Sequence, residues 1–185
     1  MKLNLGCGYK RLAGFVNVDV SAECSPDAVV NLEEAPWPWA DGSADVVVFN
    51  HSLEHLGASA RVFQSIIQEL YRVCRGGAEV QINVPHPRHD DFIDDPTHVR
   101  PITPALLSLF SRKLNAEWQR AGASNSPLAN YWNVDFEIRN VEFGLDQAYR
   151  AKFASGEISV QQMESISRER NNVVKEIRIL MVAVK

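Results

Sequence analysis

Three groups of residues in this chain have types and spacings suited to chemistry. The first is Gly6-Cys7-Gly8, which follows the short apolar run Leu3-Asn4-Leu5, together with Asp19 at the end of Phe15-Val16-Asn17-Val18. Glycines at the end of a strand let a ligand approach the backbone, because no Cβ stands in the way. An acidic residue at the tip of the next strand can accept hydrogen bonds from both hydroxyls of a ribose. The plain alternative is a tight turn after a strand. The third glycine of a dinucleotide fingerprint is missing, since Arg11 stands in its place, and Gly8 to Phe15 is too short for a full crossover helix. A pyrophosphate needs a helix N-terminus beneath it, so a nucleoside without phosphates fits better.

The second group is the polar stretch from His86 to Arg100, which holds three of the five histidines and the carboxylates Asp90, Asp91, Asp94 and Asp95. Pro85, Pro87 and Pro96 stiffen it, which lowers the entropy of holding a side chain in place. A solvated loop, a catalytic or substrate-binding loop and a His/Asp metal site are all compatible with it. The catalytic reading is favoured, with His98 and His89 as candidate general bases oriented by the carboxylates. His86 reads as structural, and Arg100 as a partner for an anionic acceptor or a neighbouring carboxylate. The third group, His51-Ser52-Leu53-Glu54-His55, matches the inverted zinc-protease pattern H-x-x-E-H. That pattern needs a helix with both histidines on one face, whereas this one falls at the end of a buried strand. No metal is therefore expected, and His55 reads as a packed, hydrogen-bonded histidine.

The elements that must position these groups follow from periodicity. Lys2–Leu5, Phe15–Val20 and Ala28–Val30 read as strands, and the β-branched run Asp45–Phe49 as a strand buried on both faces. Ser59 is an N-cap for a helix carrying Val62, Ile66, Ile67, Leu70 and Val73, with Arg75-Gly76-Gly77 as its stop. Glu79–Val84 is the next strand. A helix from Pro104 to Trp118 is expected after Thr103, then a strand over Val134–Phe143, two short helices between Asp146 and Arg170, and a long closing strand over Val173–Val184. Alternating strands and helices predict an α/β fold with a mostly parallel sheet. Trp118, Tyr131 and Trp132 are available to line a pocket or fill core.

Composition narrows the field. The 185 residues are 45% hydrophobic and 23% charged, the balance of an ordinary globular domain, and one domain is expected. With 19 Lys and Arg against 23 Asp and Glu, the net charge of −4 disfavours a nucleic-acid partner, because phosphate neutralisation needs a basic surface. No apolar run approaches the length of a membrane span, and no signal peptide is expected. Three cysteines without metal-ligand spacing suit a reducing compartment, so a cytoplasmic location is expected.

Several segments, in order, resemble one known family. Leu3-Asn4-Leu5-Gly6-Cys7-Gly8 followed by Val16-Asn17-Val18-Asp19 resembles the nucleoside-binding signature of class I S-adenosylmethionine-dependent methyltransferases. Pro38-Trp39-Ala40-Asp41-Gly42-Ser43-Ala44-Asp45 is similar to the loop into their fourth strand, with Trp39 where Phe is usual. Asn50-His51-Ser52-Leu53-Glu54-His55-Leu56 resembles the segment after that strand, and Leu70 to Gly77 the turn into their fifth.

The resemblance implies a doubly wound, Rossmann-like sheet with an antiparallel closing strand. It implies S-adenosylmethionine as cofactor, bound by Leu5, Gly6, Cys7, Gly8, Asp19, Asn31, Leu32, Asn50 and His51. Asp19 would hold the ribose, Asn31 and Leu32 would flank the adenine, and Asn50 and His51 would sit near the methionine. Asn31 stands where Asp is more common, although its amide oxygen still accepts a hydrogen bond. Residues 1–84 would bind the cofactor and residues 85–185, with their insertions, would shape the acceptor site. No Asn-Pro-Pro-aromatic signature follows the fourth strand, which leaves a small molecule or a saccharide as the expected acceptor. A binding module or inactive partner subunit without turnover is the rival reading, and a homodimer stays open.

Overall fold

The protein, described for residues 1–185 by a computed structural model, is built on one seven-stranded sheet. Its strands are β1 (Lys2–Leu5), β2 (Val16–Asp19), β3 (Ala28–Val29), β4 (Ala44–Asn50), β5 (Cys74–Pro85), β6 (Phe136–Leu145) and β7 (Val174–Ala183). Their order across the sheet is β3-β2-β1-β4-β5-β7-β6. Neighbours from β3 to β5 are parallel, and β7 lies antiparallel to both β5 and β6. The sheet winds outward both ways from the β1–β4 pair, so a crevice opens at the carboxyl ends of these strands. The mostly parallel Rossmann-like sheet and its antiparallel closing strand agree with the sequence reading.

One face of the sheet carries the core. Leu3, Leu5, Val47, Phe49, Val80, Ile82, Ile179 and Met181 point into it and are buried. Helix α1 (Ala60–Val73) packs there through Phe63, Ile66, Ile67, Leu70 and Val73. Fully burying such a side chain is worth about 1.5–3 kcal/mol. Ser59 caps α1 as expected, its hydroxyl accepting from the Val62 N–H. The expected glycine stop differs in detail. Cys74 already pairs with Ala44, and the next register pair is Val46 with Glu79, so Arg75-Gly76-Gly77 bulges out of β5.

Two further differences lie in the second half. A short helix, α2 (Asp90–Ile93), interrupts the polar loop after β5. The single helix expected over 104–118 is two, α3 (Pro104–Ser108) and α4 (Arg112–Arg120). The break arises because Phe110 turns fully into the core and Ser111 starts a new helix, accepting from the Leu114 N–H. Helix α5 (Leu128–Trp132) is too short to show periodicity. It stacks Trp132 on Phe110 with ring centroids 5.1 Å apart. Trp132 is thus partly buried and packs against the core, while Tyr131 is exposed. The two short helices expected near the end are α6 (Gln147–Ala154), capped by Asp146, and α7 (Val160–Glu169), capped by a Ser159/Gln162 capping box. No helix is long and apolar enough to cross a membrane.

The first two crossovers contain no α-helix. Residues 6–15 form a bare loop, and one 3₁₀ turn (Ala22–Cys24) joins β2 to β3. A buried amide network replaces the missing helix. The Asn4 side chain donates to Asn17 Oδ1 and to the Lys10 carbonyl, while the Asn17 amide donates to Asp27 and to the Leu12 and Phe15 carbonyls. Without crossover helices, the second face of the sheet keeps Val46, Val48, Leu180 and Val182 only half-buried.

Candidate active site

The carboxyl ends of β1 and β2 meet in a cleft of about 310 Å³, inside the range of small-molecule sites. Gly6, Gly8, Asp19, Asn31, Leu32 and His51 line it, six of the nine expected cofactor residues. The two glycines do different work. A Cβ on Gly6 would lie 2.5 Å from the Ser52 Cβ, so this glycine lets β4's outgoing turn pack against β1. A Cβ on Gly8 would meet nothing within 4 Å, so this glycine leaves the cleft floor open to a ligand. Both have positive φ, which only glycine adopts freely.

Asp19 is firmly held. Its Oδ2 accepts from the Gly8 N–H at 2.8 Å and its Oδ1 from the Ser21 N–H at 2.9 Å. Each oxygen keeps a lone pair for a ligand hydroxyl. Asn31 holds its own turn, accepting from the Glu33 N–H and donating to Glu34. Leu32 is buried beside it, its carbonyl accepting from the Trp37 indole.

Leu5, Cys7 and Asn50 do not line the cleft. Leu5 is core, and its carbonyl accepts from Ser52 Oγ. Cys7 is buried, which pushes its thiol pKa up. Asn50 accepts from Asn83 Nδ2 and lines a separate cavity of about 380 Å³ on the open face of the sheet. Sequence reasoning missed Val20, Val30, Ser52, His55 and Leu56, which complete the cleft. Val20 carries a signal in hindsight, as an apolar residue 65% exposed directly after Asp19.

The other end of the cleft is built by the turn after β4. His51 takes φ +52°, a left-handed conformation uncommon for a side-chain-bearing residue. A 3₁₀ turn (Leu53–His55) follows, in place of the helix that a zinc-protease pattern needs. It swings Glu54 inward, with no solvent exposure, and neither carboxylate oxygen has a hydrogen-bond partner. The nearest cation-forming group on this turn is the His51 imidazole, with Nδ1 3.7 Å from Glu54 Oε1. Burial raises the Glu54 pKa to about 7. Burial also lowers the pKa values of His51 and His55.

The loop after β5 brings His98 to this turn. The Val99 and Arg100 N–H groups donate to the Glu54 carbonyl, which fixes the approach. The His98 ring lies 4.5 Å from that of His55 and stacks on Phe92. Its Nδ1 bonds the Phe92 carbonyl at 2.9 Å. A carbonyl only accepts, so Nδ1 carries the proton and Nε2 keeps the lone pair.

His89 is placed elsewhere. Its Nδ1 accepts from the Asp91 N–H, capping α2, and its Nε2 faces Asp146 at 3.6 Å. One nitrogen thus holds α2 and the other faces the residue that caps α6. Arg88 ties the same loop to the carbonyls of Ser167 and Arg168 in α7. The expectation that Arg100 pairs with a neighbouring carboxylate is corrected. Its guanidinium donates to the Gly57 carbonyl and lies 4.2 Å over the Phe63 ring.

Known proteins share this fold. Residues 3–82 match the family model described as a methyltransferase domain. No curated protein matches the sequence. Among solved structures, a SAM-dependent methyltransferase from Archaeoglobus fulgidus is 18% identical, with a TM-score of 0.62, over 100% of this chain and 85% of that one. A 1,6-didemethyltoxoflavin-N1-methyltransferase from Burkholderia thailandensis, with bound 1,6-didemethyltoxoflavin and S-adenosylhomocysteine, is 10% identical with a TM-score of 0.51 over 100% and 71%. The [4+2]-cyclase SpnF is 15% identical with a TM-score of 0.54 over 99% and 75%. Residues 3–82 thus resemble a methyltransferase domain, and the whole chain takes the Rossmann-like fold of solved SAM-dependent methyltransferases.

Proposed function

We propose that this chain methylates a small-molecule or saccharide acceptor, with residues 1–84 holding the cofactor and residues 85–185 shaping the acceptor side. The carrying observation is the Asp19 carboxylate, fixed by two backbone N–H groups beside an open Gly8. That arrangement suits a ribose, with Asn31, Leu32 and Val30 forming the base end and Gly6 and His51 the methionine end. Bound there, S-adenosylmethionine supplies an activated methyl group on a sulfonium.

The chain's own part is alignment and proton removal. His98 is the favoured base for a hydroxyl acceptor, because its Nε2 keeps a lone pair and its ring touches His55, which lines the cleft. His89 is the weaker candidate, since its Nδ1 caps α2 and its Nε2 faces Asp146. The small-molecule reading draws support from the toxoflavin-precursor enzyme among the structural neighbours. The cyclase among them shows that this fold also carries another reaction.

Calorimetry with S-adenosylhomocysteine, followed by transfer of labelled methyl from S-adenosylmethionine to an acceptor panel, tests the reading. Stoichiometric binding with turnover is expected. Binding without turnover on any acceptor would favour the binding-module alternative, and absence of binding would remove the cofactor assignment.

A further inference from the structure

We infer that Glu54, His55 and His98 form a binding site for a divalent first-row transition cation at the edge of the cofactor cleft. Each offers one donor atom, and the three atoms lie within 4.8 Å of one another. The residues come from two separate segments, the turn after β4 and the loop after β5, so their convergence is a tertiary event.

Two independent features point to a cation. The first is Glu54 itself. A carboxylate with no solvent exposure ordinarily has a guanidinium, an ammonium or several N–H donors against it. Here neither oxygen has a hydrogen-bond partner. Burying a charge without compensation is costly, and proteins keep such groups paired or bound to metal.

The second feature is the hydrogen bonding of the two imidazoles. The His98 Nδ1–H donates to the Phe92 carbonyl. Thr97 Oγ1 donates its proton to Asp95 Oδ1 at 2.6 Å, so it can only accept from His55 Nδ1 at 2.9 Å. Both rings therefore carry the proton on Nδ1 and keep the Nε2 lone pair. Metal-binding histidines show this pattern, with the second ring nitrogen donating to a carbonyl or, through a relay, to a carboxylate. Two neutral imidazoles and one carboxylate form a donor set typical of zinc and of non-haem iron, with further positions open to a substrate.

The sequence pattern His51-Ser52-Leu53-Glu54-His55 suggested a different set. His51 is not in the cluster. The Asn83 side-chain amide lies 3.3 Å from its Nε2, and its Nδ1 faces Glu54. Because His55 also lines the cleft, a cation here would border the acceptor side. Its role as an activator of the acceptor rests on the proposed methyl transfer, but its binding does not; with a cation bound, His98 Nε2 is a ligand, so the base role proposed for His98 belongs to the metal-free protein.

The test uses the full chain, purified without an affinity tag and stripped with chelator. Zn²⁺, Mn²⁺ and Co²⁺ are titrated separately by calorimetry, and Co²⁺ is also followed by its visible ligand-field spectrum. One equivalent of at least one cation is expected to bind and to raise the melting temperature. Glu54→Gln, which keeps the side-chain shape, and His98→Ala should each weaken it by at least ~100-fold. Thr97→Val, which removes only the partner of His55 Nδ1, should cost ~10–100-fold. Stoichiometric binding that survives Glu54→Gln and His98→Ala would overturn the site. So would a Co²⁺ spectrum that stays that of the aquo ion. S-adenosylhomocysteine affinity is measured on the same samples, so intact cofactor binding without metal binding defeats this inference alone.

Discussion

The two ends of the cleft hold their carboxylates in opposite ways. At the β1–β2 end, Asp19 receives two backbone N–H groups and stays partly open to solvent. At the β4 end, Glu54 is wholly enclosed and receives none. Asp19 costs the fold little, because its charge is already compensated, and each oxygen keeps a lone pair free. Glu54 is a destabilising group that the surrounding packing must hold. A fold tolerates such a group where the missing partner arrives from outside, as a proton or a cation. On the function proposed above, the contrast separates a recognition end from a reactive end within one crevice.

The largest effect expected from breaking this contrast is on turnover. His98→Ala should lower methyl transfer ~10²–10⁴-fold, with S-adenosylhomocysteine affinity within a few-fold of wild type. Single-turnover kinetics beside calorimetry checks the split, and unchanged rates would make the loop after β5 a mere connection. Next in size is the reverse pattern. Asp19→Ala removes charge-assisted bonds worth roughly 1.5–3 kcal/mol each and should weaken S-adenosylhomocysteine at least ~10-fold. Wild-type affinity in a folded Asp19→Ala protein would remove the ribose assignment.

Stability sharpens the comparison further. Glu54→Met replaces an unpartnered buried carboxyl by an apolar side chain of similar length. It should stabilise the chelator-treated protein by about 1–2 kcal/mol, since the desolvation cost of the polar group disappears. Urea unfolding measures this, and a destabilised Glu54→Met protein would mean that Glu54 is satisfied in solution. The smallest effect is local. Ser159→Ala removes the α7 cap, worth about 1 kcal/mol. Hydrogen exchange in residues 160–169 should quicken while cofactor affinity stays the same. A loss of affinity there would tie α7 to the cleft directly.

Much of the recognition end was legible in the sequence because it is local. A strand, a glycine turn and a strand ending in Asp19 span fewer than twenty residues, and each signal is short-range. The cap of α1 at Ser59, the lack of a first crossover helix and the two late helices were legible for the same reason. Asn50 was harder. Its neighbour His51 takes a left-handed turn, and that one dihedral sends the two side chains into different cavities. The break between α3 and α4 was hidden too, because Phe110 fits a helical pattern until Phe63 and Trp132 claim it for the core.

By itself, the sequence determined the mostly parallel sheet with its antiparallel closing strand, the glycine–aspartate end of the cleft and the family resemblance. These rest on strand periodicity, turn chemistry and residues close together in the chain. Only the tertiary structure decided which histidines meet. In the sequence, His51 and His55 make a pattern and His98 stands more than forty residues away. In the folded chain, the Glu54 carbonyl receives the Val99 and Arg100 N–H groups, which draws His98 onto His55 and leaves His51 outside. The physical reason is that a backbone carbonyl freed by a 3₁₀ turn must find donors, and the donors it found belong to the loop after β5.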